Sequence, residues 1–253
     1  MSNAFNLHER TALVTGAGSG IGRAIAVGLA EAGADVAVLG RRAETLNAVA
    51  EDIRAHDVRA LVIEADVTHP GEITAAVKRL VAELGRLNIL VNSAGAQLTG
   101  ASADFAEADW DTVVDANLKG TFLCCQAAGR HFLANGGGKI INLASTFSFV
   151  GFPQFAAYCA SKGGVLMLTK ALASEWAGSG INVNAIGPCA TRTEMNAYLL
   201  DDPTFLDAFL PRLPVGRIAR PEDMVGAAVF LSSRASDMVH GHILLVDGGY
   251  TAL

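Results

Sequence analysis

The sequence predicts an α/β fold, with parallel strands covered by helices on both faces. Three observations carry this. Short apolar runs recur along the chain without polar alternation, as in strands buried on both sides. A stretch of helical pattern follows almost every run. The first run opens into a glycine-rich turn that leads directly into a helix. The 253 residues are 51% hydrophobic, which suits one large domain with a sizeable core, or at most two small ones.

The elements follow in order. Thr11 to Val14 is a short apolar strand. It enters Thr15-Gly16-Ala17-Gly18-Ser19-Gly20-Ile21-Gly22 and an alanine-rich helix to about Ala32. Strand, glycine turn and helix together set backbone N–H groups and a helix N-terminus against a pyrophosphate. The spacing is G-x-x-x-G-x-G, an approximate match to the general dinucleotide fingerprint; a glycine turn without a ligand is the alternative. Val36 to Leu39 is the second strand, closed by Gly40 and followed by Arg41, Arg42 and a helix to about Ala55. Ala60 to Glu64 is the third strand, with Asp66 and Val67 beyond it, and His69 to Leu84 is a helix with one apolar face. Ile89 to Val91 is the fourth strand, followed by Asn92-Ser93-Ala94-Gly95. Trp110 to Asn135 reads as one long helix with Asn117 inside it, a mediocre helix former whose presence there calls for a reason. Gly136 to Gly138 breaks the chain before the strand Ile140 to Ala144, and the helix bearing Tyr158 runs to about Ala177. Asn182 to Ile186 is a strand that ends in Gly187-Pro188-Cys189-Ala190-Thr191-Arg192-Thr193. Residues 194–217 mix apolar and polar positions with three prolines and suggest a helical excursion able to act as a lid. Pro221 to Leu231 is a helix with proline near its start, and Ile243 to Val246 is the last strand. No repeat, low-complexity tract or linker divides residues 1–253.

Composition excludes several functions. A formal charge of -6 without a basic run disfavours nucleic acid. No uncharged apolar run reaches about 18 residues, so no membrane span is expected. The N-terminal MSNAFNLHER lacks the basic and apolar regions of a signal peptide. Cys124, Cys125, Cys159 and Cys189 form no C-x-x-C pair, and the histidines show no ligand spacing. No metal is expected, and reduced thiols in a cytoplasm are the default.

The chemistry centres on Ser145, Tyr158 and Lys162. Tyr158 and Lys162 are four apart, one turn along the same helix face. A phenol titrates at about pH 10, and an ammonium one turn away is expected to lower that value. The pair could then exchange a proton with a substrate oxygen, while Ser145, at a strand end, hydrogen-bonds the same oxygen. A surface Tyr–Lys contact is the alternative for the pair taken alone.

The motifs together resemble the short-chain dehydrogenase/reductase family. Thr15-Gly16-x-x-x-Gly20-x-Gly22, Asp66, Asn92-x-Ala94-Gly95, Asn117, Ser145, Tyr158-x-x-x-Lys162 and the Pro188 loop with Thr193 occur in that family's order, over about residues 5 to 250. The resemblance implies a single doubly wound Rossmann domain with a seven-stranded parallel sheet. It implies Asn117, Ser145, Tyr158 and Lys162 as catalytic residues, with Tyr158 the acid/base, Lys162 also on the nicotinamide ribose, and Asn117 holding a water. It implies a cofactor site from Gly16, Ser19, Gly20, Ile21 and Gly22 at the pyrophosphate, Asp66 and Val67 at the adenine, and Asn92, Ala94 and Gly95 beside the adenosine. Tyr158, Lys162, Pro188, Thr191 and Thr193 would meet the nicotinamide half. Two departures stand out. Ser93 replaces the family's second asparagine, and Cys189 replaces the glycine after Pro188, which a cysteine should resist if the backbone there is left-handed. A reactive Cys189 is one reading; an incidental small thiol is the other.

Substrate and partner expectations follow. The pocket should draw on Ser145, Phe147, Gln154, Tyr158, Arg192 and Met195, with Thr146, Phe149, Phe155, Tyr198 and Gln97 nearby. Arg192 is the nearest cation for a carboxylate. GGGKIINLAS and TEMNAYLLDDPTFLDAFLPRLPVGR resemble the gluconate 5-dehydrogenase and 2-deoxy-gluconate 3-dehydrogenase group, implying a sugar acid or polyol. A 3-oxoacyl-[acyl-carrier-protein] reductase and a non-catalytic nicotinamide-binding regulator are the alternatives. NADP(H) is expected over NAD(H), because Gly40 stands where an acid would bind a ribose 2′-hydroxyl and Arg41 can meet a 2′-phosphate. Arg42 is expected to point away along its helix. The family pattern and the apolar Ile243 to Val246 run imply a homotetramer, in the cytoplasm, acting on a small molecule.

Overall fold

The computed structural model describes residues 4–252. Its strands are β1 Thr11–Thr15, β2 Asp35–Gly40, β3 Ala60–Glu64, β4 Ile89–Asn92, β5 Gly138–Leu143, β6 Ile181–Pro188 and β7 Ile243–Val246. They form one sheet in the order β3-β2-β1-β4-β5-β6-β7, every neighbouring pair parallel. The helices are α1 Gly20–Glu31, α2 Ala43–Arg54, α3 Pro70–Leu84, α4 Glu107–Val114, α5 Gly120–Asn135, α6 Ala156–Trp176, α7 Ala197–Leu200, α8 Pro203–Phe209 and α9 Val225–Ser232.

The apolar runs are continuous because successive strand residues enter two different cores. Ala12, Val14, Val36, Val38, Ile89 and Val91 pack with α1, α2 and α9. Leu13, Ala37, Leu39, Leu90 and Ile140 pack with α3, α5 and α6 on the other face. Period-two side-chain direction makes any polar residue within these strands costly on one face or the other. The chain builds β1, β2 and β3 outward, then returns to lay β4 on the opposite side of β1. That reversal opens a crevice at the carboxyl ends of β1 and β4, where ligands of such sheets bind.

Two elements differ from the sequence reading. The long helix over 110–135 is two helices joined by a π-helical turn, Asp115–Lys119. The extra residue in that turn re-aims Asn117. The stretch from Pro221 begins as a 3₁₀ turn, Pro221–Met224, before α9. Residues 194–217 form the expected helical excursion, in short pieces that include α7 and α8.

Candidate active site

A cleft of about 650 Å³ runs along the carboxyl end of the sheet. One end is built from backbone. Gly16 has φ +63°, and a Cβ there would lie 2.7 Å from the Ala94 backbone. Gly20 has φ +53°, and a Cβ on Gly22 would collide with the Gly16 carbonyl. The Thr15 hydroxyl accepts from the Ser93 and Ala94 amides at 3.1 and 3.2 Å, locking the turn to the loop after β4. The turn and the start of α1, from Gly16 to Gly22, line the cleft. Ser19, the N-cap, makes no side-chain cap, and the first turn of α1 has no acidic residue. Free N–H groups and a positive helix end therefore face the cleft, which fits a pyrophosphate.

Beyond the turn, Gly40, Arg41, Arg42, Asp66, Val67 and Thr68 line the cleft. The Arg41 and Arg42 side chains are 79% and 63% exposed. Arg41 stands 3.8 Å from Asp66. Arg42 does not point away: it stands at the N-cap position of α2, makes no side-chain cap, and reaches Glu194 at 3.5 Å. Burial would raise the Asp66 pKa, but hydrogen bonds from Thr68 and the Arg41 charge hold it below the usual carboxylate value.

The reacting centre lies at the other side of the switch. Asn117 is fully buried; its amide accepts from Ala96 N at 2.7 Å and donates to Ala96 O and to the Ser161 hydroxyl, each at 3.0 Å. Ser161 in turn donates to the Tyr158 carbonyl. Asn117 thus pins the β4 loop to α6, the reason its place in a helix called for. Ser145 follows β5, and its Oγ accepts from Phe147 N at 3.1 Å. The Ser148 hydroxyl donates to the Lys162 carbonyl, holding the Ser145 turn against α6.

Tyr158 and Lys162 both line the cleft, with the Lys162 Nζ 5.7 Å from the Tyr158 ring centre. The expected lowering of the phenol pKa is not what the structure has. Burial pushes Tyr158 up to about 12, against a lowering contact from Ser145. Burial also pushes Lys162 down to about 8, while its ammonium donates to the Leu143 carbonyl at 2.6 Å. Desolvation outweighs the Ser145 contact, so near neutral pH the phenol is a proton donor.

Pro188, Thr191, Thr193, Ala94, Gly95, Phe147 and Met195 also line the cleft, with Thr146, Phe155 and Gln97. Five expected positions do not. Arg192 turns out of the cleft, bonded to Asp201 at 2.6 Å and to the Leu200 carbonyl. Gln154 is exposed at φ +69°, in a turn whose carbonyl accepts from Gly100. Phe149 and Tyr198 are about half exposed, the latter beside Thr99. Asn92 is buried behind the wall, donating to Asn142 at 2.9 Å and to Cys125 Sγ. Cys189 does line the cleft, but its φ is not left-handed, so cysteine meets no backbone strain there. Burial pushes its thiol up to about 11, which opposes a reactive thiolate. Thr45, Thr68, Leu199, Phe205 and Phe209 are wall residues the sequence reading did not single out. The four-residue spacing of Phe205 and Phe209 was the available signal. Among the described residues no cluster of His, Cys, Asp or Glu could hold a metal, and no helix is long and apolar enough to cross a membrane.

The family model described as Enoyl-(Acyl carrier protein) reductase matches residues 16–251. A short-chain type dehydrogenase/reductase from Mycobacterium marinum superposes with TM-score 0.95 at 38% identity, covering 99% of this chain and 98% of that one. The chain belongs to the short-chain dehydrogenase/reductase family. It is an oxidoreductase of alcohol groups that uses a nicotinamide cofactor. The D-threitol dehydrogenase of Mycolicibacterium smegmatis is 43% identical over 247 residues, 98% of this chain and 95% of that protein. A gluconate 5-dehydrogenase from Burkholderia cenocepacia J2315, in complex with NADP and tartrate, has TM-score 0.95 and 41% identity, covering 99% of this chain and 98% of that one. In this short-chain dehydrogenase/reductase Asn117, Ser145, Tyr158 and Lys162 all line the one cleft.

Proposed function

We propose that this chain transfers a hydride between NADP(H) and a secondary alcohol or ketone of polyol or sugar-acid type. The observation that carries it is Ser145, Tyr158 and Lys162 lining the same cleft as an open glycine turn. The nicotinamide, when bound, supplies or accepts the hydride. Tyr158, held protonated by burial, gives its proton to the carbonyl oxygen during reduction, and the Ser145 hydroxyl holds that oxygen. Lys162 stays in place through its bond to the Leu143 carbonyl, and Asn117 fixes α6 against the β4 loop. At the far end Gly40 offers no carboxylate to a 2′-phosphate, and Arg41 and Arg42 offer two exposed cations. The B. cenocepacia relative, with its NADP, supports the cofactor, and the two named enzymes support the substrate class.

The test is Tyr158→Phe in a cofactor-coupled screen of hexitols, tetritols, gluconate, keto-gluconates and acetoacetyl thioesters. Turnover should drop about 10²–10⁴-fold, with NADPH binding kept. Parental rates in the variant would refute the mechanism. Activity on the thioester alone would favour acyl reduction instead.

The same reading includes a homotetramer in a cytoplasm. Trp110, Phe122, Leu133 and Met167 are 40%, 40%, 51% and 60% exposed on α4, α5 and α6, apolar surface that subunit contacts would cover. Light scattering at micromolar concentration should give four chains per particle; a monomer would refute the assembly.

A further inference from the structure

The substrate end of the cleft has a chemistry of its own. Phe147, Phe155, Met195, Leu199, Phe205 and Phe209 line it. Phe147 and Phe155 meet edge to face at 5.3 Å, both meet Tyr158 edge-on at 6.2 and 6.5 Å, and both connect to Phe205 and Phe209 through Phe152, a ring behind the lining. Phe205 stacks on Phe209 at 5.4 Å. The apolar wall therefore starts at the reacting phenol.

No free cation joins it. Among the described residues, the cations lining the cleft are Arg41, Arg42 and Lys162. The arginines belong to the β2 end, and the Lys162 ammonium is bonded to Leu143. Arg192 is held by Asp201. Arg212 lies over the Phe152 ring at 5.7 Å, and neither lines the cleft. Residues 194–217 carry Glu194, Asp201, Asp202 and Asp207 against Arg212 and Arg217, an acidic balance. Gln97 lines the cleft, and its side chain makes no hydrogen bond among the described residues.

A carboxylate moved into this wall would lose its hydration without gaining a cation to offset its charge. A neutral polyol can set its C–H face on the rings and its hydroxyls toward Gln97, Ser145 and Tyr158. Resting on the hydride-transfer reading above, we infer that the substrate is an uncharged polyol, or its ketose, and not a sugar acid.

Matched pairs test this. With NADP⁺, kcat/KM should be at least tenfold higher for sorbitol than for gluconate, and for threitol than for threonate. Met195→Arg places a cation at an exposed wall position (Met195 is 43% exposed) and should shift both ratios at least tenfold toward the acid. Equal or higher wild-type activity on the acids, or ratios unmoved in Met195→Arg, would overturn the inference. If neither pair is turned over, the polyol reading itself fails, and calorimetric binding of the same pairs to the NADP⁺-loaded protein still decides the charge preference. Tighter sorbitol and threitol would uphold it; equal or tighter binding of the acids would overturn it.

Discussion

The two ends of the cleft are built by different means. The β1–α1–β2 end is made of backbone: Gly16 and Gly22 are there because a Cβ would strike the neighbouring main chain, and α1 presents uncapped N–H groups. Its pieces lie close together in sequence. The substrate end is made of side chains gathered from the β5 loop, the start of α6 and the 194–217 excursion. A backbone site recognises what all dinucleotides share. A side-chain site can change its occupant with one substitution and leave the fold intact. The comparison explains how one architecture serves relatives acting on threitol and on gluconate.

The largest separation of the two ends should come from pH. Alcohol oxidation needs the Tyr158 phenolate, and burial raises the phenol pKa to about 12. Below the pKa the phenolate fraction grows about tenfold per pH unit, so oxidation should rise toward about a hundredfold between pH 7 and 9. Ketone reduction, which uses the protonated phenol, should not rise. The NADP⁺/NAD⁺ preference should stay constant, because guanidinium groups keep their charge throughout. An oxidation rate flat over this interval would remove Tyr158 as the titrating base.

Gly16→Ala should act on the backbone end alone. A left-handed alanine costs about 1–2 kcal/mol, and its Cβ would press on the Ala94 main chain. The expected outcome is about 2 kcal/mol or more of lost stability in denaturant melts, with weakened NADPH binding. Unchanged stability would mean the turn yields more easily than its packing implies. The smallest effect belongs to Arg41→Ala. One charge-assisted phosphate contact is worth about 1.5–3 kcal/mol, so KM for NADPH should rise at least about tenfold while KM for NADH stays put. Gly40→Asp would sharpen the switch, since a Cβ there meets only Leu46 at 3.5 Å, ordinary contact. An unmoved KM for NADPH would transfer the phosphate to Arg42.

What the sequence by itself determined is what short-range pattern encodes. Continuous apolar runs require strands buried on both faces, and each observed strand overlaps its predicted run. Glycine spacing marks where backbone packs on backbone. A four-residue separation places Tyr158 and Lys162 on one helix face whatever surrounds them. Tertiary structure decided what depends on burial and distant partners. The Tyr158 pKa goes up because its surroundings are dry, which no spacing reveals. Arg192 leaves the cleft because Asp201 takes it, and Gln154 leaves because its turn bends outward. Asn117 needs a π-helical turn to meet Ala96, twenty-one residues away. The aromatic wall exists only once residues near 150 and near 207 are folded against each other, since side-chain contacts across the chain leave no local period to read.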